Sequence, residues 1–331
     1  MKAMVLVGGE GTRLRPLTST MPKPLLPLMG RAFLHHVLDH LSAHGVDEVI
    51  LSSPYLESVF APFIEERHGD PRIVWINESS PLGTGGAVLN ALENVEDTFF
   101  VLNGDILTDL DLTAMAAAHD ASGSAVSIAT MHVDDARPFG LVITDETGRV
   151  TEFREKPKEP IPGDINAGTY VIDPEVLAGF ARGVKTSIET EVFPSIIQGG
   201  RAVRAFPSQS YWMDLGTPDK YLLAHFDILE GKVKGEQYPA PFTEGADIDL
   251  GAHLGRWVVA GRGSSVGPDA QVEDSVLHEG AKVGSGAVVR NSILGRGSVV
   301  GEGARLTRCV LGEGTVVAAG AELSEAKVPE G

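Results

Sequence analysis

The first unbroken apolar run, Met4-Val5-Leu6-Val7, lacks the polar alternation of a half-exposed strand. It predicts a short strand covered on both faces, of the kind found inside a parallel sheet. Val46–Ser52, Arg72–Asn77 and Thr98–Leu102 read as further strands. Between them, residues 31–44 carry Phe33, Leu34, Val37, Leu38 and Leu41 at helical spacing and stop at Gly45, while 55–67 and 87–92 predict two more helices. Strand alternating with helix predicts an α/β domain with a mixed, mostly parallel sheet. From Ala125 the strands shorten and alternate, over 125–133, 141–144, 150–155 and 168–172, with Asp145-Glu146-Thr147-Gly148 as a hairpin turn. Helices over 187–198 and 218–229 follow, and the second closes a domain spanning 1–230.

Residues 231–256 are rich in Gly, Pro and charge without a clear period, and they read as a linker. A repeat then begins. Apolar residues fall at Ala260, Val266, Val272; Leu277, Val283, Val289; Leu294, Val300, Leu306; and Leu311, Val317, Leu323, a spacing of six, six and five that recurs every 17 residues. Each set of three predicts one triangular turn of a parallel β-helix over 257–325, with one inward residue per face.

The candidate chemistry sits where the first strands end. Leu6-Val7 runs into Gly8-Gly9-Glu10-Gly11-Thr12-Arg13-Leu14-Arg15-Pro16-Leu17-Thr18, with Pro22-Lys23-Pro24 shortly after. Glycines there let backbone N–H groups converge on phosphate oxygens, and Arg13, Arg15 and Lys23 add fixed positive charge. Neither the dinucleotide pattern nor the Gly-Lys-Ser/Thr loop is present, since Leu14 stands where a third glycine belongs. A second glycine turn, Glu78-Ser79-Ser80-Pro81-Leu82-Gly83-Thr84-Gly85-Gly86, is either a floor for a base or ribose or a helix start capped by Thr84. Asn103-Gly104-Asp105 ends the fourth strand; Asp105 reads as a Mg²⁺ ligand or as a turn cap, and Asp214 in Met213-Asp214-Leu215-Gly216 is a second candidate ligand. Phe139-Gly140, Glu155-Lys156-Pro157 and Asn166-Ala167-Gly168 pair rigid or small backbone residues with polar groups, as suits the grip of a sugar ring by its hydroxyls and of its phosphate by a lysine. Lys156 is alternatively an ordinary solvated lysine.

Net charge changes the picture in one respect. At −18 the chain is a poor partner for nucleic acid or an anionic membrane, so any anion it binds needs cations concentrated locally, as in Arg13–Lys23. The single cysteine, Cys309, excludes an intrachain disulfide and fits a reducing compartment. The opening apolar run is too short for a signal core, and no stretch approaches the ~20 apolar residues of a membrane span, so a cytoplasmic protein is expected.

Gly-Gly-x-Gly-Thr-Arg-Leu-x-Pro-x-Thr followed by Pro-Lys-Pro resembles the signature of the sugar-1-phosphate nucleotidylyltransferases. The Leu-Val-Gly-Gly opening, Pro-Leu-Gly-Thr, Asn-Gly-Asp and the repeat tail are most similar to the GDP-mannose pyrophosphorylase branch. The resemblance spans nearly the whole chain. It implies a Rossmann-like nucleotidyltransferase domain followed by a short left-handed parallel β-helix of hexapeptide type. The implied reaction transfers a nucleotidyl group from an NTP, with GTP favoured, to a sugar 1-phosphate, with mannose 1-phosphate favoured, releasing pyrophosphate with Mg²⁺.

By the same resemblance, Leu6, Gly8, Gly9, Gly11, Thr12, Glu78, Gly83 and Thr84 hold the nucleotide, Arg13 faces the pyrophosphate and Lys23 the α-phosphate. Lys156 holds the sugar phosphate, Gly140, Glu155 and Asn166 contact the sugar, and Asp105 and Asp214 hold Mg²⁺. Glu78 is expected to read guanine, whose two adjacent donors suit a carboxylate. A homo-oligomer assembled through the β-helix is expected, with no nucleic-acid or membrane partner. The alternatives are UTP or dTTP with glucose 1-phosphate, a heptose or cyclitol phosphate, or a non-catalytic regulatory subunit binding nucleotide sugar. Hexapeptide-repeat acyltransferases need a histidine base, and His278 is the histidine within the coils.

Overall fold

A computed structural model describes residues 1–54, 57–67, 69–78 and 80–329. The expected helix start at Tyr55 and Ser79 of the second glycine turn lie outside the described residues. The chain forms two compact units: Met1–Gly8, Val37–Ile106 and Leu110–Trp212 make the first, and Gly9–His36, Leu107–Asp109 and Met213–Gly331 the second. The division falls inside the first glycine loop, so most of that loop packs with the tail.

The first unit holds a nine-stranded mixed sheet. Its strands are β1 (Lys2–Leu6), β2 (Glu48–Ser53), β3 (Arg72–Asn77), β4 (Phe99–Asn103), β5 (Val126–Val133), β6 (Gly140–Thr144), β7 (Val150–Glu155), β8 (Gly163–Ile172) and β9 (Val203–Ser208). The order is β7-β6-β8-β4-β1-β2-β3, with β5 pairing β8 and β9 pairing β5. Strands β1 to β4 are parallel to one another, whereas β8 runs antiparallel to β4 and β5. Ala3, Met4 and Val5 are fully buried, as the apolar run requires of a strand flanked by β2 and β4 and covered on both faces.

Register aligns the ends of these strands. Leu6 pairs with both Ser52 and Asn103, and Ser53 pairs with Asn77, so β1 to β4 finish at one edge. Ligands of open α/β sheets bind beyond such carboxyl ends. Helices α1 (Phe33–Ala43), α2 (Glu57–Glu66) and α3 (Gly83–Ala91) follow the expected order, with α3 starting four residues before the predicted Ala87. Helix α4 (Leu112–Ser122) and strand β9 were not legible in the sequence. The helix expected over 187–198 is a π turn, Ile188–Val192, leading into α5 (Phe193–Gln198). Strand β8 is longer than expected and carries an irregularity between Asn166 and Tyr170.

The second unit contains α6 (Pro218–Leu229) and a parallel β-helix of three five-stranded sheets. Ala260, Leu277, Leu294 and Leu311 stack on one face, each paired with the next, and the other two faces keep the same register. The ladder starts earlier than expected. Asp247–Ile248 pairs with Ser265–Val266 and His253–Leu254 with Gln271–Val272, so a further coil lies within the stretch read as a linker, and pairing continues to Lys327–Val328. The rest of that stretch is also tied down: Glu236 Oε1 lies 2.6 Å from His36 Nδ1, and Phe242 N donates to Val258 O. Among the described residues no helix is long and apolar enough to cross a membrane.

Candidate active site

In the first unit, four sequence-predicted residues gather at the sheet edge. Leu6 ends β1, Gly8 follows it, Glu78 follows β3, and Asp105 follows β4. Gly104 N donates to Leu6 O at 3.0 Å, and a Cβ on Gly104 would stand 2.7 Å from that oxygen. Only glycine lets β4 turn here and leave Asp105 beside the end of β1. Asn103 Oδ1 is buried with no hydrogen-bond partner among the described residues. A buried acceptor left open beside a carboxylate is an expensive arrangement unless a ligand or ion completes it.

The Glu78 carboxylate caps the turn that follows β3. Its carboxylate is buried, accepting from Ser52 Oγ at 2.9 Å and from Leu82 N at 3.0 Å. Thr84 lies inside the first turn of α3 and does not cap it; its hydroxyl donates to Glu189 Oε2 at 2.6 Å and accepts from Ile188 N at 3.0 Å. The glycines of this turn answer to protein, since a Cβ on Gly83 would stand 2.8 Å from Thr186 O and one on Gly86 2.6 Å from Val184 O.

The expected sugar-contacting residues form a polar patch in the same unit. Glu155 Oε2 lies 3.0 Å from the point a Gly140 Cβ would occupy. Asn166 donates through Nδ2 to the Tyr170 hydroxyl at 2.7 Å and accepts from Gly168 N at 2.9 Å. Burial, then the nearby Glu189, Glu155 and Asp105 carboxylates, raise the Tyr170 phenol well above its ordinary value, so it stays a neutral hydroxyl. Lys156 sits at a φ of 45°, its N donating to Phe139 O, while its ammonium is mostly exposed, 3.3 Å from Glu155 Oε1. Trp212 Nε1 donates to Ala167 O at 2.9 Å and fixes the bulge from its other side.

In the second unit, the glycine loop continues through Gly9, Gly11 and Thr12. Gly11 has a φ of 61°, Leu14 N donates to its carbonyl, and Thr18 Oγ1 donates to the same oxygen at 2.8 Å. Buried Leu14 and Leu17 anchor the loop and leave Arg13 and Arg15 outward. Lys23 is buried, with Nζ 3.7 Å from Asp214 Oδ1. Gly216 brings a third expected residue to this pair: at the position of its missing Cβ, Arg13 Nη2 would be 2.6 Å away and Asp214 Oδ1 2.9 Å. The sequence reading missed Lys220, whose Nζ lies 3.4 Å from Asp214 Oδ2.

Asp105 and Asp214 belong to different units, and among the described residues no group of three or more acidic, His or Cys side chains is arranged to hold a metal. Either carboxylate by itself is of the kind that suits a hard cation riding on a nucleotide, which needs only one or two protein carboxylates. His278 is buried against Tyr221, with Nε2 2.9 Å from the phenol oxygen, and is no candidate base for acyl transfer.

Comparison with known proteins identifies the family. Residues 2–231 match the family described as Nucleotidyl transferase, and residues 239–329 match the one described as the GMPPB C-terminal domain. The mannose-1-phosphate guanylyltransferase of Mycobacterium tuberculosis is 37% identical over 84% of this chain and 79% of its own length. Mannose-1-phosphate guanylyltransferase 1 of Arabidopsis thaliana is 36% identical over 84% and 78%. Among solved structures, HddC from Yersinia pseudotuberculosis complexed with GMP-PN is 29% identical, covering 68% of this chain and 98% of that one with a TM-score of 0.60. With the glycine loop, the strand-end carboxylate and the β-helix all in place, the chain belongs to the nucleotidyl transferase family.

Proposed function

We propose that this chain transfers a guanylyl group from GTP to mannose 1-phosphate, forming GDP-mannose and pyrophosphate. The observation that carries the reaction class is the meeting of Arg13, Lys23 and Asp214 around Gly216 in a chain of net charge −18. A strongly acidic protein that concentrates cations beside a glycine loop has built a polyphosphate site. The guanine and mannose assignments draw support from the names of the relatives and from the GMP-PN complex of the solved neighbour.

The chemistry asks little of the protein beyond placement. The sugar-phosphate oxygen is already anionic, so it attacks the α-phosphorus without a general base, and the bond to the pyrophosphate oxygen breaks as the new one forms. Arg13 and Lys23 neutralise charge gathering on the leaving pyrophosphate and the α-phosphate, and the amides of Gly9, Gly11 and Thr12 hold the phosphates in line. Glu155, Asn166 and Gly140 orient the sugar, with Lys156 on its phosphate. Family members work with a divalent cation, and here Mg²⁺ held by Asp105 and Asp214 would supply further neutralisation of phosphate charge. The β-helix is the proposed surface for self-association, and the cytoplasm the proposed location.

A panel of GTP, UTP, dTTP and ATP against mannose, glucose, heptose and cyclitol phosphates, followed by pyrophosphate release, tests the reading. GTP with mannose 1-phosphate is expected to give the highest kcat/KM. Another best pair overturns the substrate assignment, and no pyrophosphate with any pair overturns the reaction.

A further inference from the structure

Asp214 is a carboxylate with a lysine on each oxygen. Lys23 Nζ is 3.7 Å from Oδ1 and Lys220 Nζ is 3.4 Å from Oδ2, while Arg13 approaches through Gly216. Three cations thus gather around Asp214 within a chain of net charge −18. Exposure of the side chains grades outward: 8% for Lys23, 19% for Asp214 and 35% for Lys220. Lys220 is therefore the cation of this cluster nearest to solvent among the two lysines.

Its place in the fold is also unusual. Thr217 caps α6 and accepts from Lys220 N at 3.4 Å, which puts Lys220 in the first turn of a twelve-residue helix. A cation there works against the helix dipole, whose positive end it reinforces. A polyanion arriving at the cluster would meet the ammonium, the helix end and Arg13 together.

We propose that Lys220 is a third phosphate-binding cation of the nucleotide site, and that before nucleotide binds it shields Asp214 from divalent cations. Resting on the nucleotidyl-transfer reading of the same site, this makes metal entry follow the nucleotide. A carboxylate whose two oxygens each face an ammonium is a weak ligand for a doubly charged cation. Phosphate oxygens draw Lys220 and Lys23 away and leave Asp214 open as the cation arrives on the nucleotide.

The two roles move two measurements in opposite directions when Lys220 is removed. Lys220→Met is expected to bind Mn²⁺ alone, followed by electron paramagnetic resonance in the absence of nucleotide, about five- to tenfold more tightly than the parent protein, the effect of deleting one charge at close range near a surface. The same variant is expected to lose about tenfold in kcat/KM for the nucleotide, with KM for the sugar phosphate unchanged. Lys220→Arg keeps the charge and is expected to restore both values toward those of the parent. Circular dichroism and thermal melting of each variant establish that it is folded, and the arginine variant supplies the comparison if the methionine variant is not.

Unchanged Mn²⁺ affinity in Lys220→Met overturns the shielding, and an unchanged nucleotide KM and kcat/KM overturns the phosphate role. Because Mn²⁺ binding is read without turnover, its failure is distinct from a failure of the nucleotidyl-transfer reading, which shows instead as a parent protein that releases no pyrophosphate from any NTP.

Discussion

Lys327, on the last paired strand of the β-helix, reaches the backbone of the glycine loop: its Nζ lies 3.4 Å from the carbonyl oxygen of Arg13. Next to it, the missing Cβ of Gly312 would stand 3.1 Å from Pro16 Cβ. The tail therefore braces the loop that carries Arg13. A larger side chain at Gly312 has to push Pro16 aside and take Arg13 with it. Gly312→Val is expected to lower kcat by about tenfold or more, since displacements of an ångström in a positioning loop cost on this scale. Truncation after Glu230 is expected to reduce turnover much further. Full activity in either protein, measured by pyrophosphate release, would show that the loop holds its shape alone.

Glu78 separates a structural role from base reading. Ser52 Oγ and Leu82 N both donate to its carboxylate in a buried position. Glutamine keeps an oxygen for Leu82 N, and the Ser52 hydroxyl can turn to accept from the new amide. Glu78→Gln is therefore expected to melt near the parent and to keep its ratio of kcat/KM for GTP over UTP. Glu78→Ala leaves two buried donors unmet and is expected to cost about 1–3 kcal/mol in chemical denaturation. A collapse of the GTP preference in the glutamine variant would return base reading to this residue.

Much of this fold is written locally. The β-helix repeats its inward residue at a fixed interval, so Leu277, Leu294 and Leu311 announce both the coil and its register. The first coil escapes because Ile248 and Leu254 are set among Gly, Ala and Asp, with an exposed Leu250 between them. Helix α4 hides in Leu112-Thr113-Ala114-Met115-Ala116-Ala117-Ala118, where alanines blur the contrast between faces, although Asp111 caps it in the ordinary way. Arg13 and Lys23 were legible because they flank a glycine loop. Lys220 was not, since its partner Asp214 lies across a turn and a helix cap, and Tyr170 looked like any strand aromatic until the bulge brought Asn166 to its hydroxyl.

Asp105 stands at the end of β4 on a turn that only Gly104 permits, beside the open Oδ1 of Asn103. Removing its carboxylate leaves converging phosphates less neutralised while the sheet around it stays intact. Asp105→Ala and Asp214→Ala are each expected to lower kcat by about a hundredfold or more, the first with little change in melting temperature and the second with a lower one, because buried Lys23 loses this carboxylate. Gly104→Ala is expected to do the reverse, destabilising the protein through the contact with Leu6 O. Near-normal turnover of Asp105→Ala in Mg²⁺ would remove it from the metal site.

Two buried histidines set the acid limit of the second unit. Tyr221 donates its hydroxyl to Pro27 O and receives His278 Nε2 at 2.9 Å, while His225 Nδ1 donates to Tyr221 O at 2.9 Å. Burial lowers His225 to about 4 and His278 to about 3, with each also repelled by a neighbouring histidine, His36 for His225 and His225 for His278. Both are neutral in the folded protein at neutral pH. Between about pH 6.5 and 4 the unfolded chain takes up protons at these positions and the folded one does not, so stability falls with falling pH, by on the order of 1.4 kcal/mol per unit for each histidine. Below their folded values both states are protonated and this loss stops growing. His278→Gln keeps a donor for Tyr221 without titrating, so urea unfolding at pH 7.5 and 5 is expected to show a smaller loss in this variant than in the parent. Equal losses in the two proteins would place the acid sensitivity elsewhere.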